Sequence, residues 1–213
     1  MDQSDPKLSQ SDGRLRRSAQ TRQALIDAYL DLLRENQKPP TTQEIAKRAG
    51  CSVRSIFERF SDLLTLSLAA ADYAFEQAMA QAAVPNVDAD LHTRLKSQVE
   101  MRAVICEQWL PLWRALLRYQ SESPELSMRI KRIRAVMGAR LALVYGPELS
   151  TLPEEERTQL LLALDILTDF ESWGRLREDH CLSIEAARDV WINAMRRLLP
   201  ATEVSQGSLR GVA

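Results

Sequence analysis

The sequence predicts an all-α fold, in which three N-terminal helices are followed by a larger helical body. Only 7 glycines and 9 prolines occur among the 213 residues. The prolines fall between apolar segments rather than within them, which is typical of helix boundaries. Inside those segments the apolar residues recur at helical spacing. A content of 45% hydrophobic and 27% charged residues is that of a soluble globular protein.

The N-terminus predicts a polar arm followed by the first helix. Residues 1–13 have no periodic apolar positions, so we expect a mobile arm. A helix is predicted from Ser18 to Asn36, and Pro39 and Pro40 stop its pattern. The residues that carry its helical spacing are Leu25, Ala28, Tyr29, Leu32 and Leu33.

The next segment, residues 41–60, has the pattern of two helices that meet at a tight turn. Thr41 and Glu44 have the spacing of a capping box, which predicts a helix from Thr42 to Ala49. Gly50 stands where a helix end favours a left-handed residue, because glycine adopts that conformation without strain. Ser52 then follows as the N-cap of a second helix.

This segment also has the small and apolar residues that a helix-turn-helix needs. Ala46 is the small residue that allows the two helices to approach closely. The side chains expected to be buried are Ile45, Ala49, Cys51, Ile56 and Phe60. The ordinary alternative is a helical hairpin inside a bundle, where Ala and Gly merely permit close packing.

The remaining chain predicts a series of longer helices. Ser61 and Asp62 resemble the cap and first turn of a helix that reaches about Ala83. Pro111 and Pro124 occupy plausible first-turn positions. The further helices are predicted at about 88–109, 111–119, 124–145, 152–174 and 183–199.

Charge is distributed unevenly along the chain. The whole sequence has a net charge of -1, but residues 14–60 contain ten Lys or Arg and five acidic residues, a net charge of +5. A basic module joined to an acidic body is typical of a protein that contacts nucleic acid through one part only.

Enzymatic chemistry has little support in the sequence. A helical hydrolase is the rival hypothesis, but the chain has no Gly-rich phosphate loop and no Ser-His-acid constellation. The two histidines, His92 and His180, lack a second ligand at helical spacing, so we expect no metal and no cofactor. Three widely spaced cysteines and the absence of a signal peptide or an 18-residue apolar run predict a cytoplasmic protein with no membrane partner.

The helix-turn-helix segment resembles a known family. The pattern Thr42-x-x-Ile45-Ala46-x-x-Ala49-Gly50-Cys51-Ser52, continued by Ser55-Ile56-Phe57-x-x-Phe60, is similar to the DNA-binding domain of TetR-type bacterial regulators. The resemblance covers roughly residues 15–66. It implies a three-helix DNA-binding domain, a ligand-binding body of about six helices, and a homodimer formed mainly through the last two helices.

With this resemblance the chain divides into four parts. They are the mobile arm 1–13, the helix-turn-helix domain 14–62, the ligand-binding and dimerisation body 63–200, and a flexible tail 201–213. The partners implied are palindromic operator DNA, a second copy of the chain and a small-molecule ligand of unknown identity. A dimeric repressor that releases DNA when it binds the ligand is the mechanism that follows.

The resemblance also assigns DNA-contacting residues. Its base-reading positions fall on Ser52, Val53, Arg54 and Ser55. We expect Arg54 to read guanine. The phosphate-contacting tyrosine of the family is replaced by Phe57. The further residues expected to contact DNA are Thr42 at the start of the first motif helix and the basic residues Arg17, Lys47 and Arg59. Arg14, Arg16 and Arg48 are further basic residues that could contact phosphates.

Three departures from the family pattern weaken this assignment. Phe57 lacks the tyrosine hydroxyl, Glu58 puts a negative charge near the DNA face, and Leu63 stands where the family commonly has a lysine. Val53 and Phe57 also fit an apolar stripe with Phe60, so both are equally well explained as core residues. An all-α protein-interaction module with a weakened DNA-binding domain is therefore the alternative function.

The sequence of the body predicts two further sites, a ligand pocket and a dimer interface. An apolar and aromatic stretch, which is also compatible with plain core packing, predicts a ligand pocket. Its residues are Met101, Cys106, Trp109, Trp113, Leu117 and Tyr119. The last two helices have apolar surfaces that look too wide for one-sided packing, which predicts a dimer interface. The interface residues are Leu160, Leu164, Leu167, Trp173, Trp191 and Met195.

Overall fold

The computed structural model describes residues 6–36, 38–82 and 84–201, and their side chains from residue 16 onward. These residues form α-helices and one π-helical turn, Arg175–Asp179, with no strand among them, so the all-α prediction is confirmed. The α-helices are α1 Pro6–Asn36, α2 Thr42–Ala49, α3 Val53–Phe57, α4 Leu63–Gln81, α5 Leu91–Tyr119, α6 Pro124–Val144, α7 Gly146–Leu149, α8 Glu154–Leu167, α9 Phe170–Gly174 and α10 Ile184–Leu198.

The chain divides into two compact units by its internal contacts. The first unit contains the described residues up to Glu76 together with Pro111–Glu122, and the second contains Gln77–Leu110 and the described residues from Ser123 onward. The first unit therefore extends past residue 62, where the sequence predicted the end of the helix-turn-helix domain. The predicted tail lies outside the described residues except for Ala201.

The first unit is built on α1, which packs against α2. Leu25, Tyr29 and Leu33 are at most 2% exposed, so the apolar stripe read from the sequence forms the core. The Tyr29 hydroxyl lies 2.9 Å from the Ser67 Oγ on α4. Ser67 in turn donates to the Leu63 carbonyl. This buried pair joins the first helix to the helix that follows the motif.

The start of α1 corrects one prediction. The helix begins at Pro6 rather than Ser18, so residues 6–13 are helical and the predicted arm is wrong for them. Proline is well tolerated in the first helical turn because its missing N–H would have no intrahelical partner there. Polar residues continue a helix without an apolar stripe, and the spacing argument gave no signal for them. Residues 1–5 lie outside the described residues.

The second unit is held together by contacts between distant parts of the chain. Arg94 and Glu148 form a buried ion pair, with nitrogen-to-oxygen distances of 2.8 and 2.5 Å. Trp173 and Trp191 lie with ring centroids 4.8 Å apart, and neither is exposed. The indole of Trp173 donates to Glu107 on α5. Helix α8 packs against both α6 and α10.

Three helix boundaries differ from the predicted ones. Helix α5 continues through Pro111, because proline removes only one backbone hydrogen bond and the flanking Leu110 and Leu112 are buried. The helix predicted over 152–174 is divided at Thr168, where Asp169 caps α9 by accepting from the Ser172 N–H. The short α7 had not been predicted. None of the described helices is both long and apolar enough to span a membrane.

Candidate nucleic-acid interface

The capping box predicted at the start of α2 is present. The Thr41 Oγ1 accepts from the Glu44 N–H at 3.3 Å, and the Glu44 carboxylate accepts from the Thr41 N–H at 2.7 Å. These bonds satisfy two donors that a helix start would otherwise leave without partners. The Thr41 N–H and then the Thr41 hydroxyl lower the pKa of the Glu44 carboxyl.

The turn between α2 and α3 depends on Gly50. Its φ of 66° and ψ of 33° are left-handed, the region where a side chain is strained. The Gly50 N–H donates to the Ala46 and Lys47 carbonyls, and the Cys51 N–H donates to Ala46 at 3.0 Å. These bonds close the C-terminus of α2 and aim the chain into the next helix.

Ser52 caps α3, as the sequence predicted. Its Oγ accepts from the Ser55 N–H at 3.2 Å, and the two serine hydroxyls lie 3.0 Å apart. The cap uses one lone pair of the Ser52 oxygen, so each hydroxyl keeps further capacity for hydrogen bonding. Ser52 therefore caps the helix, and both serines present polar groups at its N-terminal end.

The two sides of the motif are clearly different. Ile45, Ala46, Ile56 and Phe60 are buried, whereas Ala49 and Cys51 are half-buried. Phe57 lies on the side of the motif that faces away from this core, because it is 53% exposed. Of the two readings left open for Phe57, the core reading is therefore wrong.

The predicted DNA-contacting residues differ in how they are presented. Arg17, Lys47, Ser52 and Arg54 are exposed, and the Arg54 side chain reaches 87% exposure. Thr42, Val53 and Ser55 are half-buried. These residues lie on or beside α1, α2 and α3, and all belong to the first unit.

Arg59 and Arg48 are less available than the sequence suggested. The Arg59 side chain is only 20% exposed, and its Nη1 donates to the Ser55 carbonyl at 3.1 Å. Arg48 donates to both carboxylate oxygens of Glu35 on α1, at 2.9 and 2.6 Å. Both guanidinium groups thus brace the motif.

Glu58 is one of the three departures from the family pattern, and the structure gives it two cationic neighbours. Its Oε1 accepts from the Arg54 Nε at 3.0 Å. Its Oε2 lies 3.6 Å from the Arg59 Nη1. The spacing of four residues between Arg54 and Glu58 is a helical ion-pair signal that the sequence itself contains.

The residues of the predicted ligand pocket are distributed between the two units. Cys106 and Trp109 are buried in the second unit, and Trp113 is buried in the first. Burial raises the pKa of the Cys106 thiol to about 11. Met101, Leu117 and Tyr119 are half-buried.

The second unit contains a cleft of about 80 Å³, which none of these six residues lines. Polar and apolar residues both line it, and the polar ones are Asn86, Thr93, Arg94, Ser97, Gln98 and Arg140. The predicted pocket therefore stays a prediction.

The predicted dimer interface needs a correction. Leu164, Trp173, Trp191 and Met195 are 0% exposed within the single chain, so no second copy can cover them. Leu160 and Leu167 are half-buried. The four buried side chains belong to the core of the second unit. The exposed apolar residues on the same two helices are Leu162 and Ile166 on α8 and Val190 and Leu198 on α10.

Solved structures share this architecture, although no family model and no curated protein matches the sequence. A transcriptional regulator from Rhodococcus sp. Rha1 is similar at 16% identity and a TM-score of 0.67, over 85% of this chain and 98% of its own. A TetR-family member from Streptomyces coelicolor A3 is similar at 23% identity and a TM-score of 0.57, over 85% and 99%. The chain has the fold of TetR-family regulators. The multidrug binding protein EbrR, solved with imidazole, is also similar, at 21% identity and a TM-score of 0.55, over 86% and 97%.

Sequence analysis did not predict the polar contacts between residues that are distant in the chain. Arg102 is buried, donates to the Thr168 carbonyl at 2.8 Å and lies 4.7 Å from the centre of the Phe170 ring. Glu107 accepts from both Trp173 and Arg177. No local pattern marks these partners, because they are 66 to 70 positions apart.

Proposed function

We propose that this protein is a cytoplasmic bacterial transcription regulator that binds operator DNA in a sequence-specific manner. The observation that carries the proposal is the exposed side of α3, where Arg54 is 87% exposed on a capped helix-turn-helix. The TetR-type fold supports it. The polar and basic character of this side is what a major groove requires, because bases are read by hydrogen bonds and phosphates by charge.

In this proposal α3 lies in the major groove and its N-terminal residues meet the base edges. Arg54 donates two hydrogen bonds to guanine, and Ser52 and Ser55 donate to or accept from neighbouring groups. Val53 and the exposed ring of Phe57 contact thymine methyl groups. The contacts to phosphates come from Thr42, Lys47 and Arg17.

Replacement of Arg54 tests this role directly. Arg54→Ala should reduce discrimination at one position of each half-site by about tenfold, and should lower the salt dependence by at most about one charge. Arg34→Ala is the control, because it removes an exposed cation from α1 in the same unit, outside the proposed contact set. Titration of a selected duplex and its single-base variants measures both effects. Unchanged base preference in Arg54→Ala would rule out the assigned role.

We also propose a homodimer formed through α8 and α10. Leu162 and Ile166 are 59% and 70% exposed, and Val190 and Leu198 are 41% and 46% exposed. Residues spaced by four or eight positions lie on one side of a helix, so each helix presents an apolar stripe. In a two-fold dimer the same patch faces itself, which suits such a stripe.

Charge at the centre of this patch tests the dimer. Ile166→Glu should shift the protein toward the monomer in sedimentation analysis, because two carboxylates would be buried close together. Leu143→Glu replaces another exposed apolar residue of the second unit, on α6, and should leave the mass of the assembly unchanged. A wild-type chain that sediments as a monomer at micromolar concentration would contradict the dimer.

Ligand response and repression complete the proposed mechanism. A small ligand would bind in the body and favour a state in which the two α3 helices no longer fit successive major grooves about 34 to 36 Å apart. The similarity to EbrR, which was solved with imidazole, supports a ligand-binding body. Release of a selected duplex during a screen of small molecules is the measurement. Ligand binding without any change in DNA affinity would refute the coupling.

An all-α interaction module is the second candidate function. The observation that favours it is the exposed Phe57, which offers an apolar ring where the family has a hydroxyl for phosphate. If neither Arg54→Ala nor Phe57→Ala changes DNA affinity, this candidate replaces the first. The similar structures give no support to the enzyme hypothesis. One of them is described as a transcriptional regulator and another as a member of the TetR family.

A further inference from the structure

Glu58 lies between two guanidinium groups on the exposed side of the motif. Its Oε1 accepts from the Arg54 Nε at 3.0 Å, and its Oε2 lies 3.6 Å from the Arg59 Nη1. Arg59 is itself fixed, because it is mostly buried and donates to the Ser55 carbonyl. Glu58 therefore joins a fixed arginine to an exposed one.

The bond to Nε restricts Arg54 without occupying the end of its side chain. Among the described residues, neither Nη atom of Arg54 donates to a protein group. A free arginine side chain loses rotamer entropy when it is fixed on binding. Holding Nε removes part of that cost beforehand, while the two Nη atoms keep the pair of donors that guanine O6 and N7 accept.

The same arrangement changes the meaning of the negative charge at position 58. An isolated carboxylate at the DNA surface repels phosphates. Here one carboxylate has two cations within 3.6 Å, so the three side chains together keep a net positive charge. The charge that departs from the family pattern is thus neutralised within the motif.

We propose that Glu58 is a positioning residue that holds Arg54 for guanine recognition and sets the base preference at one position of each half-site. This inference rests on the proposed DNA-binding function. Glu58 acts through Arg54, so its effect should appear in base discrimination and should depend on the presence of Arg54.

A double-mutant cycle tests this dependence. The variants are Glu58→Ala, Arg54→Ala and the pair, each titrated against a duplex selected by the wild-type protein, its single-base variants and an unrelated duplex. Glu58→Ala should lower the preference at the base read by Arg54 by about tenfold. It should also bind the unrelated duplex slightly more tightly, because a negative charge is lost. In the Arg54→Ala background, Glu58→Ala should leave base preference unchanged.

Two further variants separate positioning from charge. Glu58→Gln keeps an oxygen that accepts from Nε, so it should retain most of the preference that Glu58→Ala loses. Glu76→Gln removes a negative charge from an exposed residue of α4 in the same unit and should change neither preference nor affinity. The three residues involved, Arg54, Glu58 and Glu76, are exposed, so circular dichroism should show unchanged folding.

The results that would overturn the inference are distinct from failure of the proposed function. Base preference that survives Glu58→Ala shows that Arg54 needs no support from Glu58. A loss that persists in the Arg54→Ala background shows that Glu58 itself meets a base, for example by accepting from cytosine N4. If the wild-type protein enriches no sequence at all, the DNA-binding function fails and the inference fails with it.

Discussion

The two units of the molecule contain ion pairs of contrasting kinds. In the first unit Arg54 and Glu58 form an exposed pair four positions apart, with side chains that are 87% and 52% exposed. In the second unit Arg94 and Glu148 are 6% and 0% exposed and are separated by 54 positions. The exposed pair is available to a partner, whereas the buried pair holds distant parts of the chain together.

This difference has an energetic consequence. Exposed pairs contribute about 0 to 1 kcal/mol, because water screens them and both side chains lose entropy. Removal of one partner of a buried pair costs about 3 to 5 kcal/mol, because the other charge remains buried without compensation. Substitution of Arg54 or Glu58 should therefore change function, and substitution of Arg94 or Glu148 should change stability.

The largest expected effect is the loss of Glu148. Glu148→Ala leaves the Arg94 guanidinium buried with carbonyl partners only, and should lower the free energy of unfolding of the second unit by about 3 to 5 kcal/mol. Urea denaturation followed by circular dichroism measures it. Glu125→Ala is the matched control, because it breaks an exposed pair with Arg129 in the same unit, and it should cost less than 1 kcal/mol. Equal costs for the two variants would contradict the contrast between buried and exposed ion pairs.

A smaller effect is expected at the turn of the motif. Gly50→Ala should destabilise the first unit by about 1 to 2 kcal/mol, since φ is 66° even though a Cβ there would meet no atom within 4 Å. Gly138→Ala offers the opposite case, because that glycine lies inside α6, also with nothing within 4 Å. It should stabilise the second unit by up to about 1 kcal/mol. If both variants shift the urea midpoint in the same direction, backbone conformation does not explain the turn.

Sequence reasoning succeeded where the determinants are local. The capping box of Thr41 and Glu44, the left-handed Gly50 and the Ser52 cap all depend on residues within four positions of each other. Such signals define the motif and therefore the candidate site. The ion pair of Arg54 and Glu58 has the same local character and was available from the sequence.

The second unit could not be predicted to the same depth. Arg102 meets the Thr168 carbonyl across 66 positions, and no periodicity encodes that contact. On α8 and α10 the sequence identified helices with apolar residues on more than one side. Trp191 and Met195 were assigned to the dimer interface, but packing within the single chain buries both side chains. Which side of a helix is buried depends on which other helices pack against it, and no local sequence pattern encodes that packing.

Selection of bound sequences from random duplex DNA, followed by titration of the enriched site at two salt concentrations, tests the central claim most directly. We predict a palindrome whose half-sites lie about one helical turn apart, with an affinity that falls steeply as salt rises. Absence of enrichment, with weak binding to every duplex, would contradict a sequence-specific regulator and favour the interaction module.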